Sequence, residues 1–164
     1  YLVVLQVLPK VAIIPILLVW IGFGSSARIL IAGVFAFFPI TTGTRAGIRS
    51  VEPGHLDLAT TLQMSRWRRL WLIELRGALP SIVTGMEVAI VLATVGALVA
   101  EYLSPGAGLG WLAIVSLNQL QVADLFAVIV ILCVIGIVLY VAVAGLRRVL
   151  VPWHQSSLQR APGL

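Results

Sequence analysis

This chain of 164 residues holds one cysteine, Cys133, so neither a disulfide framework nor a cysteine-ligated metal site forms within it. Its two histidines, His55 and His154, are far apart and have no ligand-spaced partners, which removes the usual zinc patterns. Charge is scarce as well: 10% of the residues are charged and only six are acidic, whereas an ordinary soluble domain carries about 25% charged residues. No G-x-x-x-x-G-K-[ST] run occurs, so the chain has no ATP-cradling loop of its own. Clustered catalytic acids, histidines and nucleophile motifs are missing too, which argues against an enzyme.

What is present is apolar. Hydrophobic residues make up 60% of the chain and the mean hydropathy is +1.10. A core of this size cannot hide so much apolar surface from water, because small domains leave much of their area exposed. Lipid must be the solvent for much of the chain. Four stretches approach the roughly 20 apolar residues that a bilayer core requires: about 2–23, 29–44, 82–103 and 122–146. Pro9 and Pro15 each remove a backbone donor from the first, where a kink or break is expected. The chain opens on Tyr1 inside an apolar run, which reads as a fragment whose beginning lies upstream.

The basic residues set the orientation. Arg45, Arg49, Arg66, Arg68, Arg69 and Arg76 fall between the second and third spans, and Arg147, Arg148 and Arg160 follow the fourth. The segment 104–121 has no Lys or Arg. Positive residues remain cytoplasmic, so the 45–80 loop and the C-terminal tail are predicted inside and 104–121 outside. Arg28 is an exception on the outer side, and Lys10 fits an inner start of the first span. A pI near 10.4 is thus a topology signal and not a nucleic-acid footprint.

The internal loop has its own pattern. Glu52-Pro53 marks a helix start, with proline where its missing N–H costs nothing. Leu56, Ala59 and Leu62 follow at helical spacing, and Ser65 is placed to cap a second helix. On that second helix Trp67, Leu70 and Trp71 share a face, away from Arg66 and Arg69. The prediction is a short, basic, amphipathic helical hairpin over 52–76. The plainer alternative is a solvated loop resting on lipid headgroups.

The spacing of this loop resembles the cytoplasmic signature of ABC importer permeases: E-A-A, three residues, G, nine residues, I-x-L-P. Asp57-Leu58-Ala59, Gln63 and Ile73-Glu74-Leu75-Arg76 occupy the matching positions. Asp stands for Glu, Gln for Gly and Arg for the final Pro. Further stretches resemble the nitrate, sulfonate, taurine and thiamine-pyrimidine branch of that family. They include Trp20-Ile21-Gly22, Phe37-Phe38-Pro39-Ile40, Ala78-Leu79-Pro80-Ser81-Ile82, Ala100-Glu101, Gly108-Leu109-Gly110 and Pro152-Trp153-His154.

The resemblance implies an all-α, polytopic helical bundle of the importer-permease (MetI-like) type in the inner membrane, lacking its first one or two spans. It implies passage of a small polar or anionic solute, with ATP bound and hydrolysed on a separate ABC ATPase subunit and no cofactor on this chain. The other partners it implies are a periplasmic or lipid-anchored solute-binding protein, a second permease copy (a homodimer), and membrane lipid. Asp57, Leu58, Ala59, Gln63, Ser65, Trp67 and Arg68 would carry the coupling to the ATPase. Glycine at the signature position permits a close backbone approach that Gln63 does not.

Within the third span Glu87, Thr94 and Glu101 recur every seven residues and share a face, with Gly85, Ala89 and Ala93 roughly opposite. The small residues suit close helix packing in lipid. The polar face is expected to border the solute path or a helix interface; the alternative is two hydrated, interfacial acids. A carboxylate at mid-bilayer costs on the order of 3 kcal/mol. Thr41, Thr42 and Thr44 either line the path or cap the second span. Gly106, Gly108 and Gly110 are expected to form a turn after a membrane helix, and Cys133 to pack in a core. The alternative function is a secondary transporter or channel fragment whose intramembrane carboxylates carry protons, which has no need of the 52–76 hairpin.

Overall fold

A computed structural model describes residues 10–106 and 108–151. Its elements are α1 (Lys10–Ile21), α2 (Ser25–Arg49), α3 (Pro53–Thr61), α4 (Arg66–Arg69), a π-turn (Leu70–Glu74), α5 (Leu75–Leu103), α6 (Leu109–Asn118) and α7 (Val122–Leu150). Among the described residues three helical stretches are long and apolar enough to cross a membrane: Ser25–Arg49, Arg66–Leu103 and Val122–Arg148. They extend the second, third and fourth predicted spans at their charged ends, because a helix keeps its own hydrogen bonds past the edge of the apolar run.

Several expectations change. Pro15 lies inside α1, which runs on without a break, so the interruption expected there does not occur; Pro9 lies outside the described residues. The second arm of the 52–76 hairpin is no separate helix. It continues through the π-turn into α5. The segment 104–121, expected as a loop, contains a ten-residue helix, α6, that was not anticipated. Cys133 is exposed on α7 and does not pack in a core. The tail stretch Pro152-Trp153-His154 lies outside the described residues.

The chain divides into two compact units. Among the described residues, the first holds 10–38 together with Ala89–Tyr140. Its core is Ile14 and Leu18 of α1, Ala27, Ile31 and Phe35 of α2, and Ala100 of α5. The four-residue spacing within α1 and within α2 stacks these side chains on one face of each helix. Gly96 of α5 meets the Phe35 ring, where a Cβ would lie 2.8 Å from the ring carbon Cγ. In α6, Gly110, Ala113 and Ser116 are buried at a spacing of three, the narrow small-residue face of a short helix.

The second unit holds Pro39–Val88 and, among the described residues, 141–151. Its centre is a close crossing of the C-terminal half of α2 over the first half of α5. A Cβ on Gly43 would lie 2.7 Å from the Ser81 carbonyl oxygen, and one on Gly47 2.7 Å from that of Ala78. A Cβ on Gly85 would stand 2.7 Å from the Pro39 carbonyl oxygen. Backbone meets backbone here, the arrangement that small residues four apart permit in lipid. Threonine hydroxyls in these helices bond back to carbonyls three or four residues earlier: Thr42 Oγ1 donates to Pro39 O at 3.2 Å and Thr84 Oγ1 to Pro80 O at 3.0 Å.

Candidate functional site

The matching signature residues lie on α3, the turn after it and α4. Glu52 is the N-cap of α3 and Pro53 opens the helix, as the sequence pattern predicts. The helix ends in a Schellman arrangement. Gln63 N–H donates to Thr60 O and Met64 N–H to Ala59 O, both at 3.0 Å. Gln63 occupies the left-handed position with φ of 48°. Signature glycine therefore suits this place for a second reason, its tolerance of positive φ, and Gln63 meets the demand at a cost of about 1 kcal/mol. Ser65 then caps α4 through a bond from the Arg68 N–H to its Oγ at 3.4 Å.

The side chains divide into two sets. Ala59 is buried and anchors α3 to its unit. Asp57, Leu58, Leu62, Gln63, Ser65, Trp67 and Arg68 are exposed around the turn. Trp67 is 73% exposed and Trp71 65%, so the two tryptophans of the apolar face expected on the second arm are uncovered, while Leu70 is half-buried. An exposed aromatic and leucine cluster flanked by arginines has the composition of a protein-docking surface.

The polar residues of α5 have separate partners. Glu87 Oε1 lies 3.6 Å from Arg147 Nη1 of α7. Thr94 Oγ1 donates to the Ile90 carbonyl at 2.9 Å, committing its proton to its own helix. The Glu101 carboxylate accepts the Gly110 N–H at 2.8 Å and so caps the start of α6 from another helix. Gly108, at φ of 117°, leaves the room this needs, because a Cβ there would collide with the Glu101 carboxylate. The glycine turn is real, and it is built around Glu101.

Of the α2 threonines, Thr42 lines a cleft of about 670 Å³ in the second unit, together with Ser81, Thr84, Gly85 and Arg147. Thr44 Oγ1 donates to Ile40 O at 2.7 Å, and Thr41 has an interaction of its own. Sequence reasoning missed Arg147, Ser81 and Thr84 as neighbours of this cleft. Arg147 reads as tail charge until α7 is seen to run to Leu150. Among the described residues no group of three or more His, Cys, Asp and Glu side chains is placed to hold a metal ion.

Comparison with known proteins agrees with this architecture. Residues 1–155 match the family of binding-protein-dependent transport system inner membrane components. A probable ABC transporter permease protein of Haemophilus influenzae is 35% identical over 142 residues, 87% of this chain and 58% of that protein. The formylaminopyrimidine transport permease protein ThiX of Halalkalibacterium halodurans is 31% identical over 156 residues, 95% of this chain and 62% of that protein. The taurine transport system permease protein TauC of Escherichia coli is 31% identical over 147 residues, 89% and 53% of the two chains. The chain thus spans between half and two thirds of the length of these relatives. With a match over nearly all its length and three helices able to cross a bilayer, the chain belongs to the binding-protein-dependent transport system inner membrane component family.

Proposed function

We infer that this chain is the membrane-spanning part of an ATP-driven importer, which passes a small polar or anionic solute into the cytoplasm. It is a multi-pass inner-membrane protein by family and by its helices. A separate ABC ATPase docks on the α3–α4 turn, a solute-binding protein delivers the solute from outside, and a second permease copy completes the pathway. The observation that carries the reading is the turn at Gln63. It holds the family signature, and its leucine and tryptophan side chains are uncovered while Ala59 is buried. The relatives named for taurine and formylaminopyrimidine support a small polar solute.

The test is co-purification of the full-length protein with its cognate ATPase. Leu62→Glu and Trp67→Ala change exposed side chains and should cut recovery of the ATPase roughly tenfold or more, as loss of a central anchor does, with the permease still folded. Ala59 is unsuitable for this purpose because a larger side chain there would disturb the unit itself. Undiminished recovery in both variants would remove the docking assignment. The contacts of Glu87 with Arg147 and of Glu101 with Gly110 give both acids structural partners, which weighs against a proton-carrying secondary transporter.

A further inference from the structure

The link between the docking turn and its membrane helix departs from α-helical geometry. Over Leu70–Glu74 the chain forms a π-turn, and the Leu75 N–H reaches back five residues to the Leu70 carbonyl. Such turns are rare and usually appear as a single bulge inside an α-helix. Local side chains give this one a reason to form. Arg69 Nε donates to Glu74 Oε1 at 2.7 Å, a spacing of five residues. In an α-helix five residues advance about 500°, so the two side chains would stand about 140° apart around the axis. A turn that closes its hydrogen bond over five residues brings those positions together.

The α register offers Glu74 no substitute. Its neighbours three and four residues away would be Leu70, Trp71, Gly77 and Ala78, none of them basic. Glu74 is 14% exposed, so in that register a largely covered carboxylate would lose its cation. The charge-assisted bond to Arg69 is of the stronger kind. Beside the turn a cleft of about 500 Å³, lined by Val51, His55, Leu72, Ile73 and Arg76, leaves space for the segment to shift.

We propose that Arg69 and Glu74 are positioning residues whose ion pair selects the π register and thereby sets the rotation of α4 and the docking turn about the axis of α5. Relaxation to the α register would turn the chain preceding the bulge by about 100° and advance it about 1.5 Å. A side chain carried about 5 Å from the axis would move on the order of 8 Å, enough to take Trp67 out of any fixed docking groove. The register stands on its own geometry; its consequence for coupling rests on the proposed function.

Both parts are testable in the full-length protein in lipid nanodiscs, with Cys133 and every other native cysteine of that protein changed to alanine. Spin labels at Trp67→Cys and Arg76→Cys report the register. Glu74→Ala should change their separation by several Å, and the charge-reversed pair Arg69→Glu with Glu74→Arg should keep it. Glu74→Ala should also cut co-purification of the cognate ATPase by about tenfold. Deleting Leu72 in the Glu74→Ala background removes the extra residue, restores the original rotation in an α-helix, and should return recovery to within about threefold of the unmodified protein. An unchanged label separation in Glu74→Ala overturns the proposal, as does lost binding that neither the reversed pair nor the deletion restores. If the unmodified protein binds no ATPase, the docking reading fails while the label distances still decide the register.

Discussion

Glu87 of α5 and Arg147 of α7 form an ion pair, with Oε1 and Nη1 3.6 Å apart and the two side chains 13% and 38% exposed. The pair joins two largely apolar helices, and it gives a charge inside each an opposite charge to face. Removing one member leaves the other covered without compensation, which costs more than the pair itself contributes. Since Arg147 is more than a third exposed, the penalty is reduced by screening. Glu87→Gln or Arg147→Gln should each lower stability by about 1–2 kcal/mol, read as a lowered Tm in detergent. The reversed pair Glu87→Arg with Arg147→Glu should recover most of it; a Tm unmoved by either single change would mean that the contact contributes nothing.

The α2–α5 crossing makes a sharper prediction. Gly43, Gly47 and Gly85 each face backbone atoms at distances no Cβ tolerates, so alanine at any of them forces the helices apart. The expected cost is about 1–3 kcal/mol per site, with reduced yield of folded protein on size-exclusion chromatography. Gly136 of α7 has nothing within 4 Å of its Cβ position. Gly136→Ala is the control and should be neutral, or stabilising by up to about 1 kcal/mol, since glycine is costly in a helix interior.

Glu101 and α6 can be separated by one atom. Glu101→Gln keeps an oxygen acceptor for the Gly110 N–H and should leave α6 in place, whereas Glu101→Ala leaves that donor unmet at a cost of about 1–3 kcal/mol. Hydrogen exchange at residues 109–113 should speed up in the alanine variant and not in the glutamine one. Gly108→Ala should resemble Glu101→Ala, because its φ of 117° and the adjoining carboxylate both exclude a Cβ.

Two helices end on non-glycine residues in the left-handed region, Gln63 at φ of 48° and Leu120 at 56°. Gln63→Gly and Leu120→Gly should each raise stability by about 1 kcal/mol, measured by thermal unfolding. Gln63→Val should lower it, because a β-branched side chain is least tolerant of positive φ. A destabilising glycine at either site would show that the side chain makes a contact worth more than the backbone strain.

The second, third and fourth apolar spans and their order were legible in the sequence, because the length of an apolar run is a one-dimensional quantity. Glu52-Pro53 and Ser65 marked their helix starts because caps are local chemistry. α6 escaped notice because ten residues are too short for a span and the preceding glycines advertise a turn. The π-turn escaped because a bulge leaves no apolar period of its own; only the Arg69–Glu74 spacing hinted at it.

By itself, the order of residues determined that this is an α-helical membrane chain of the importer-permease family with a basic segment between its second and third predicted spans. Tertiary structure alone decided that Glu87 faces Arg147 and that Glu101 caps α6. It also decided that Ala59 is buried while Trp67 is uncovered. The division has one cause. Hydropathy, charge and caps act over a few residues and can be read along the chain, whereas the partner of a polar side chain in lipid depends on which helix packs beside it.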